Sequence, residues 1–434
     1  IGTLFAAAQA AGWQRQVRRS EGPVPPAPPD EVYFGGGEDE PPDDSRPMIK
    51  VVAGELPKTV DEAEQALLQA RVPLYVHGNR LVRIGVLREA VGPMRRALGG
   101  SVLFEVSAHW LIDVLTRVAS WVRWDKRASD WRPTNCPRQV ADTLLAREGH
   151  WQFPVLTGFL EAPILTLDGR VIRDTGYDAA SGLYLTTRFD MAPMDEVPAQ
   201  QAQEAADRLA EIVSTFPFVS ESDRAGALAM MMTAVMRRVL PTAPFGAISA
   251  STPATGKSLL ADVISVIATG RRGSAMALGN EHAELEKRVD AALLDGDPLV
   301  VIDNIDRAVR SDVLCQVATQ TSKTVRVLGY SRKVESPTNV CWLLTGNNLT
   351  VLGDLTRRVV MIALEAEIER PEEREFDRDA IDYAHAVREQ AVRDCIAVSL
   401  GYIQAGEPGV GVVPYGSFES WDRMVRRPLV WAGF

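Results

Sequence analysis

The residues best equipped for chemistry stand together at Gly256, Lys257 and Ser258, where an apolar run from Phe245 passes through a short loop into a second apolar run. A strand, a loop and a helical start in that order aim successive backbone N–H groups into one concavity. From there a lysine can reach the β- and γ-phosphates of a nucleotide, and a hydroxyl can ligate Mg²⁺. Ser251, Thr252, Pro253, Ala254, Thr255, Gly256, Lys257, Ser258 and Leu259 therefore read as a phosphate cradle. Ser251 departs from the G-x-x-x-x-G-K-[ST] pattern, since it stands where the first glycine is expected and a side chain resists positive φ.

Further along, Pro298-Leu-Val-Val-Ile-Asp303 is an apolar strand ending in a carboxylate. Asp303 is placed to share Mg²⁺ with Ser258 at the carboxyl ends of a parallel sheet. Its neighbour Asn304 cannot accept a proton, so a general base has to come from elsewhere, with Glu284, Glu286 and Asp306 as candidates that would equally serve as solvated helix charges. A third apolar strand, Val340-Cys-Trp-Leu-Leu344, runs into Thr345-Gly-Asn347-Asn348. Either Asn347 or Asn348 has the donor and acceptor groups to orient an attacking water, the plainer alternative being an Asn-rich turn. Arg357 and Arg358 follow, and a paired cation there suits a finger that stabilises charge on a phosphate bound by an adjacent subunit.

Two other clusters carry cations. Lys323, Arg326, Arg332 and Lys333 lie on two β-like arms about Gly329, a hairpin that could hold single-stranded phosphate backbone inside a ring or merely protect an exposed edge with charge. Trp121, Arg123, Trp124, Lys126, Arg127, Trp131 and Arg132 interleave aromatics with cations. That chemistry stacks bases and tracks phosphates, although tryptophans more often anchor a core beside snorkelling Arg and Lys stems.

The elements that position these groups predict an α/β chain with several folded units in 434 residues. Residues 1–20 have a helical pattern suited to the tail of an upstream domain. Residues 21–47 are Pro-rich, then Gly-rich, then acidic, a composition that reads as a tether. Residues 48–195 alternate short helices and strands as an α+β accessory domain, with a hairpin turn at Asp168-Gly169. Residues 196–240 form a helical collar in which Met230, Met231 and Met232 fill core gaps. Residues 241–370 hold the parallel-sheet core, and 371–434 a helical region. A start at Ile1 and a stop shortly after an Arg-Arg-Pro sequence fit a fragment of a longer protein.

A net charge of −10 speaks against a general basic coat, yet a ring can concentrate cations in its channel while its outside stays acidic. The four cysteines and five histidines are scattered, without zinc-ligand spacing or a disulfide framework. No run approaches the length of a membrane span and no leader pattern opens the chain, so a cytoplasmic protein with reduced thiols is expected.

With these residues in order, the region from about residue 199 to 376 resembles a superfamily-3 helicase, the AAA+ branch found in viral, phage and plasmid replication. More closely, Ile302-Asp-Asn-Ile305, Arg326-Val-Leu-Gly-Tyr-Ser331, Thr345-Gly-Asn-Asn-Leu349, Gly353-Asp-Leu-Thr-Arg-Arg358 and Glu369-Arg-Pro371 look like the primase-helicases of prophages and integrative elements. Upstream, Trp151-Gln-Phe-Pro-Val-Leu-Thr-Gly158 and Gly176-Tyr-Asp-Ala179 extend the likeness, and Gly416-Ser-Phe-Glu-Ser-Trp421 carries it towards the end. The resemblance implies an ATP- and Mg²⁺-dependent DNA helicase that assembles as a homo-oligomeric, hexameric ring on single-stranded or forked DNA, with a primase module in the same full-length protein. It implies Lys257 and Ser258 on ATP and Mg²⁺, Asp303 on Mg²⁺, Asn347 or Asn348 as sensor, and Arg357 or Arg358 as finger. A nucleotide-switched initiator or loader that oligomerises without unwinding is the alternative that Asn304 keeps open, and a scaffold with a vestigial nucleotide site is a third.

Overall fold

The computed structural model describes residues 46–86, 99–279, 281–326, 333–366 and 378–434. The expected tail at 1–20 and all but the end of the tether at 21–47 lie outside these residues, as do Arg332 with the hairpin tip and the Glu369-Arg-Pro371 motif.

The first part of the described chain is assembled from small sheets. Strands β1 (Met48–Val51), β5 (Ser120–Asp125) and β6 (Asp130–Pro133) form one sheet, in the order β1-β5-β6. Helices α1 (Leu56–Gln69), α2 (Ala108–Val118) and α3 (Arg138–Leu145) supply the apolar faces that pack with Ile49 and Trp121. In α2 the buried residues Leu111, Val114, Leu115 and Val118 recur at helical spacing, and the Ser107 hydroxyl accepts from the Trp110 amide to start the helix. Strands β2 (Tyr75–His77), β3 (Arg80–Val86) and β4 (Ser101–Glu105) make a second antiparallel sheet. Gly78 and Asn79, both at positive φ, turn the chain between β2 and β3. Strands β7 (Gly158–Leu160), β8 (Ile164–Leu165), β9 (Val171–Ile172), β10 (Gly176–Asp178) and β11 (Leu183–Leu185) follow, with Gly169 at φ 87° in the β8–β9 hairpin. From Leu160 onward the buried side chains belong to the same core as the large sheet.

That sheet contains five parallel strands in the order β13-β14-β17-β12-β18: β12 (Phe245–Ala250), β13 (Ser274–Met276), β14 (Leu299–Ile305), β17 (Cys341–Asn347) and β18 (Val359–Leu364). Helices cover both faces, which is why β12, β14 and β17 read as near-continuous apolar runs instead of alternating ones. Before the sheet come α4 (Ala199–Ile212) and α5 (Glu221–Met236), the second with Met230, Met231 and Met232 fully buried, as expected of core-filling methionines. Helix α6 (Lys257–Thr269) crosses from β12 towards β13, and α7 (His282–Asp295) from β13 to β14. Helix α8 (Asp312–Thr319) leads to the antiparallel hairpin of β15 (Ser322–Arg326) and β16 (Lys333–Pro337). The 25-residue α9 (Ala380–Gln404) packs on α4 and α6, pinned by the Arg208 guanidinium donating to both oxygens of buried Asp394 at 2.6 and 3.0 Å. Among the described residues no helix is long and apolar enough to cross a membrane.

Candidate nucleotide-binding site

The cradle forms where β12 ends. Gly256 takes φ 105°, a value that favours glycine, and its left-handed turn swings the chain directly into α6. The amides of Lys257, Ser258 and Leu259 open that helix, where helical geometry leaves N–H groups without acceptors. Thr255 is buried and ties the loop shut, its hydroxyl donating to the Thr252 carbonyl at 2.7 Å and lying 3.0 Å from the Thr252 hydroxyl. The strain expected at Ser251 is absent: Ser251 keeps negative φ, and the left-handed residue of the loop is Ala254, at φ 60°. The missing first glycine is therefore no obstacle to the loop. Lys257 folds across it, Nζ donating to the Thr252 carbonyl at 3.1 Å, and burial lowers its pKa while Asp303 pulls the other way.

Asp303 reaches the cradle through a bulge. Pairing between β14 and β17 shifts register between Ile302 and Ile305, which releases Asp303 and Asn304 from the ladder. The Ser258 hydroxyl then donates to Asp303 Oδ1 at 2.9 Å, and the Thr345 hydroxyl to the same oxygen at 2.5 Å. The Asn304 amide donates to Thr345 Oγ1 at 3.3 Å. Asn304 itself sits at φ 56°, a conformation asparagine tolerates better than glutamate does. The bulge thus gives a local reason for an amide here. It also explains Gly346, where an added Cβ would meet the Ile305 carbonyl oxygen at 2.4 Å.

Because β17 lies between β12 and β14, its tip opens beside the loop. Asn347 is in register with Ala250, the Asn348 amide donates to the Ala250 carbonyl at 2.9 Å, and both side chains are exposed. Sequence reasoning missed two contributors. Thr345 looked like part of a turn; its hydroxyl positions Asp303. Phe216, in the connector between α4 and α5, lies next to the loop, 3.4 Å from where a Cβ on Gly256 would stand. With Phe218, Val219 and Arg224 it lines a cleft of about 490 Å³ between α4 and α5. Its only sequence signal was an aromatic pair between two helices.

The two arginines part company. Arg358 is 13 % exposed, donates to the Cys315 carbonyl at 2.5 Å and to Thr319 Oγ1 at 3.0 Å, and pairs with Asp354 at 2.6 Å. It braces its own subunit. Arg357 is 67 % exposed and pairs with exposed Asp354. Val359, two residues on, is in register with Phe245 at the amino end of β12, opposite the cradle. Six residues of strand separate the two ends, about 17 Å at ~3.3 Å per residue, beyond the reach of an arginine side chain.

The basic hairpin needs one correction. Lys323 is 5 % exposed and bound to Asp290 at 2.6 Å and Glu286 at 3.2 Å, so it cannot meet DNA; alternation along β15 turns it inward while Thr324 and Arg326 face out. That pair also occupies Glu286, and Glu284 is bonded to Arg288, which leaves exposed Asp306 as the remaining candidate base. Arg326 and Lys333 are exposed and directly opposite one another.

Two oxygens from Ser258 and Asp303 fit Mg²⁺, which takes few protein ligands and completes its shell from phosphate and water. Among the described residues no group of three or more His, Cys, Asp or Glu side chains could hold a metal ion.

Solved structures similar to this chain include the apo C-terminal region of NrS-1, at TM-score 0.39 and 13 % identity over 84 % of this chain and 74 % of that one. A second form of that region gives 0.36 and 14 % over 73 % and 75 %. A ligand-bound JCV helicase gives 0.23 and 11 % over 53 % and 67 %. No family model matches the chain, and no curated protein does.

Proposed function

We propose that the chain is the ATP-driven motor of a superfamily-3-type DNA helicase, the AAA+ module of a mobile-element primase-helicase, working as a hexameric ring. The observation that carries this reading is the convergence of the Lys257 loop, Ser258 and Asp303 at the carboxyl end of a parallel sheet, with exposed Arg357 at the opposite end. Lys257 and the loop amides bind the phosphates, and the cleft beside Phe216 takes the base. Ser258 and Asp303 hold Mg²⁺, which when bound draws charge from the phosphate oxygens. Thr345 fixes the Asp303 carboxylate, Asn347 or Asn348 orients the attacking water, and Asp306 accepts its proton. Arg357 serves a neighbour's nucleotide, since its own cradle is out of reach. Arg326 and Lys333 contact single-stranded DNA in the channel, and the ring moves 3′ to 5′ as in the family it resembles. A strand-displacement assay on tailed duplexes should show ATP-dependent unwinding that Lys257→Ala abolishes. An assembled ring that hydrolyses ATP and never unwinds would overturn it.

One observation favours a second reading. The left-handed turn at Asn304 leaves no glutamate beside Asp303, which suits a nucleotide-switched loader that oligomerises on ATP with negligible turnover. Phosphate release measured with and without DNA separates the two.

A further inference from the structure

The sheet β1-β5-β6 has two unlike faces. Ile49 and Trp121 turn inward, and the Trp121 indole donates to the Leu115 carbonyl at 2.8 Å, so this tryptophan is a core anchor. The alternate residues face out. Met48 is 61 % and Trp124 47 % exposed, and Lys50 is exposed beside them. Trp124 is in register with Trp131, their rings 5.7 Å apart at 72°, and Lys50 Nζ lies 5.2 Å from the Trp131 ring centre. Lys126 and Arg127 occupy the β5–β6 turn beside this pair, whereas Arg123 and Arg132, opposite each other one residue along, project from the other face of the hairpin; all four are exposed.

Three cations, Lys50, Lys126 and Arg127, thus share this side of the hairpin with the two indoles, in a chain of net charge −10, while Asp125 and Asp130 pair on the Arg123 side. Those carboxylates are engaged locally: Asp125 accepts from the Arg127 amide at 2.8 Å, and Asp130 from the Trp131 amide at 2.8 Å. Acidic Glu55 and Glu62 lie beyond Met48, so the positive track follows the β5–β6 edge.

We propose that the outer face of the β5–β6 hairpin is a binding site for single-stranded DNA, separate from the motor's own channel contacts. One base stacks on Trp124, which Trp131 buttresses edge-on, while Lys50 and the turn cations Lys126 and Arg127 track the phosphates. Charge decides against a protein occupant, since the core of a protein interface is depleted of charged residues whereas here cations border the aromatics. Neither indole is needed for the fold in the way Trp121 is, so the site can be tested by substitution.

The test is fluorescence anisotropy of a labelled oligo(dT) strand with the full chain, without nucleotide, at several salt concentrations. Trp124→Ala should weaken binding by about fivefold or more, the scale of one lost base stack, and Trp124→Phe should restore most of it. Arg127→Ala should flatten the salt dependence by ~0.7 in the log–log slope. Lys257→Ala should leave binding unchanged, which separates this site from the nucleotide reading. No binding by the wild-type chain, or Trp124→Ala and Arg127→Ala both binding like it, overturns the proposal. So does an unchanged DNA affinity with an altered oligomeric state, which would assign the face to a second copy of the chain.

Discussion

Ser258 and Asp303, 45 positions apart, share a hydrogen bond of 2.9 Å at the mouth of the parallel sheet. The bond brings a hydroxyl and a carboxylate to the spacing at which one cation can replace the proton between them. Asp303→Asn should therefore abolish Mg²⁺-dependent ATP hydrolysis while preserving the melting temperature, because the amide still accepts from Ser258 and Thr345. Retained Mg²⁺-dependent turnover would remove Asp303 from the site.

Thr345 acts through Asp303. Thr345→Val keeps the shape of a fully buried side chain but withdraws the donor to the carboxylate and the acceptor for the Asn304 amide. Hydrogen bonds to charged groups contribute about 1.5–3 kcal/mol, so turnover should fall by roughly ten- to a hundredfold. Thr345→Ser should recover it. A Thr345→Ser variant as slow as Thr345→Val would show that packing, not the hydroxyl, matters.

The arginines predict opposite phenotypes. Arg357→Ala should reduce ATP turnover by about 10³ or more and leave stability unchanged, since an exposed pair with Asp354 contributes little. Arg358→Ala should lower stability by about 1–3 kcal/mol, because it strips the Cys315 carbonyl and Thr319 of their donor. Mixing Lys257→Ala and Arg357→Ala subunits should restore activity if sites are shared. Failure of that mixture, with each variant able to assemble, would confine the site to one subunit.

His77 gives a stability signature. Its Nδ1 lies 2.7 Å from the Leu156 carbonyl and its Nε2 is buried without a partner, facing the positive charges of Arg80 and Arg238. Burial, opposed by the Leu156 hydrogen bond and aided by those arginines, pushes its pKa down to about 4. The unfolded chain takes up this proton near pH 6.5, so stability is intact above that value and falls as the pH drops towards 4, by about 3 kcal/mol. Denaturant melts of His77→Asn across that window should be flatter than wild type; equal slopes would acquit His77.

Gly78 is the fifth point of attack. At φ 53° it lies so close to β16 that an added Cβ would meet the Glu335 carbonyl oxygen at 2.2 Å. Gly78→Ala should destabilise the chain by about 1–3 kcal/mol and speed amide exchange in β16. Unchanged exchange there would separate the accessory turn from the basic hairpin.

The strand–loop–helix turn from Phe245 to Leu260 was legible because its requirements are local: a strand, a glycine, a lysine and a hydroxyl in sequence. The helices before the sheet were legible too, since apolar spacing marks them. Tertiary facts were not. Whether Lys323 faces out depends on Asp290, 33 positions earlier, and the roles of Arg357 and Arg358 divide according to where α8 ends. The bulge that delivers Asp303 leaves no local trace beyond an asparagine in an unusual place. The Ser251 departure mattered less than the template implied, because the backbone takes its left-handed step at Ala254 and Gly256.

Helix α6 begins at the cradle and runs 13 residues, about 20 Å, before Arg388 of α9 clasps the carbonyls of Val266 and Ile267 and reaches on to that of Glu161. Glu161 in turn grips Arg271 just past the helix end. A lever fastened at its far end cannot swing freely at the near one. Any displacement of the loop would be delivered along the axis into α9 and the small sheets, to which the helix end is tied.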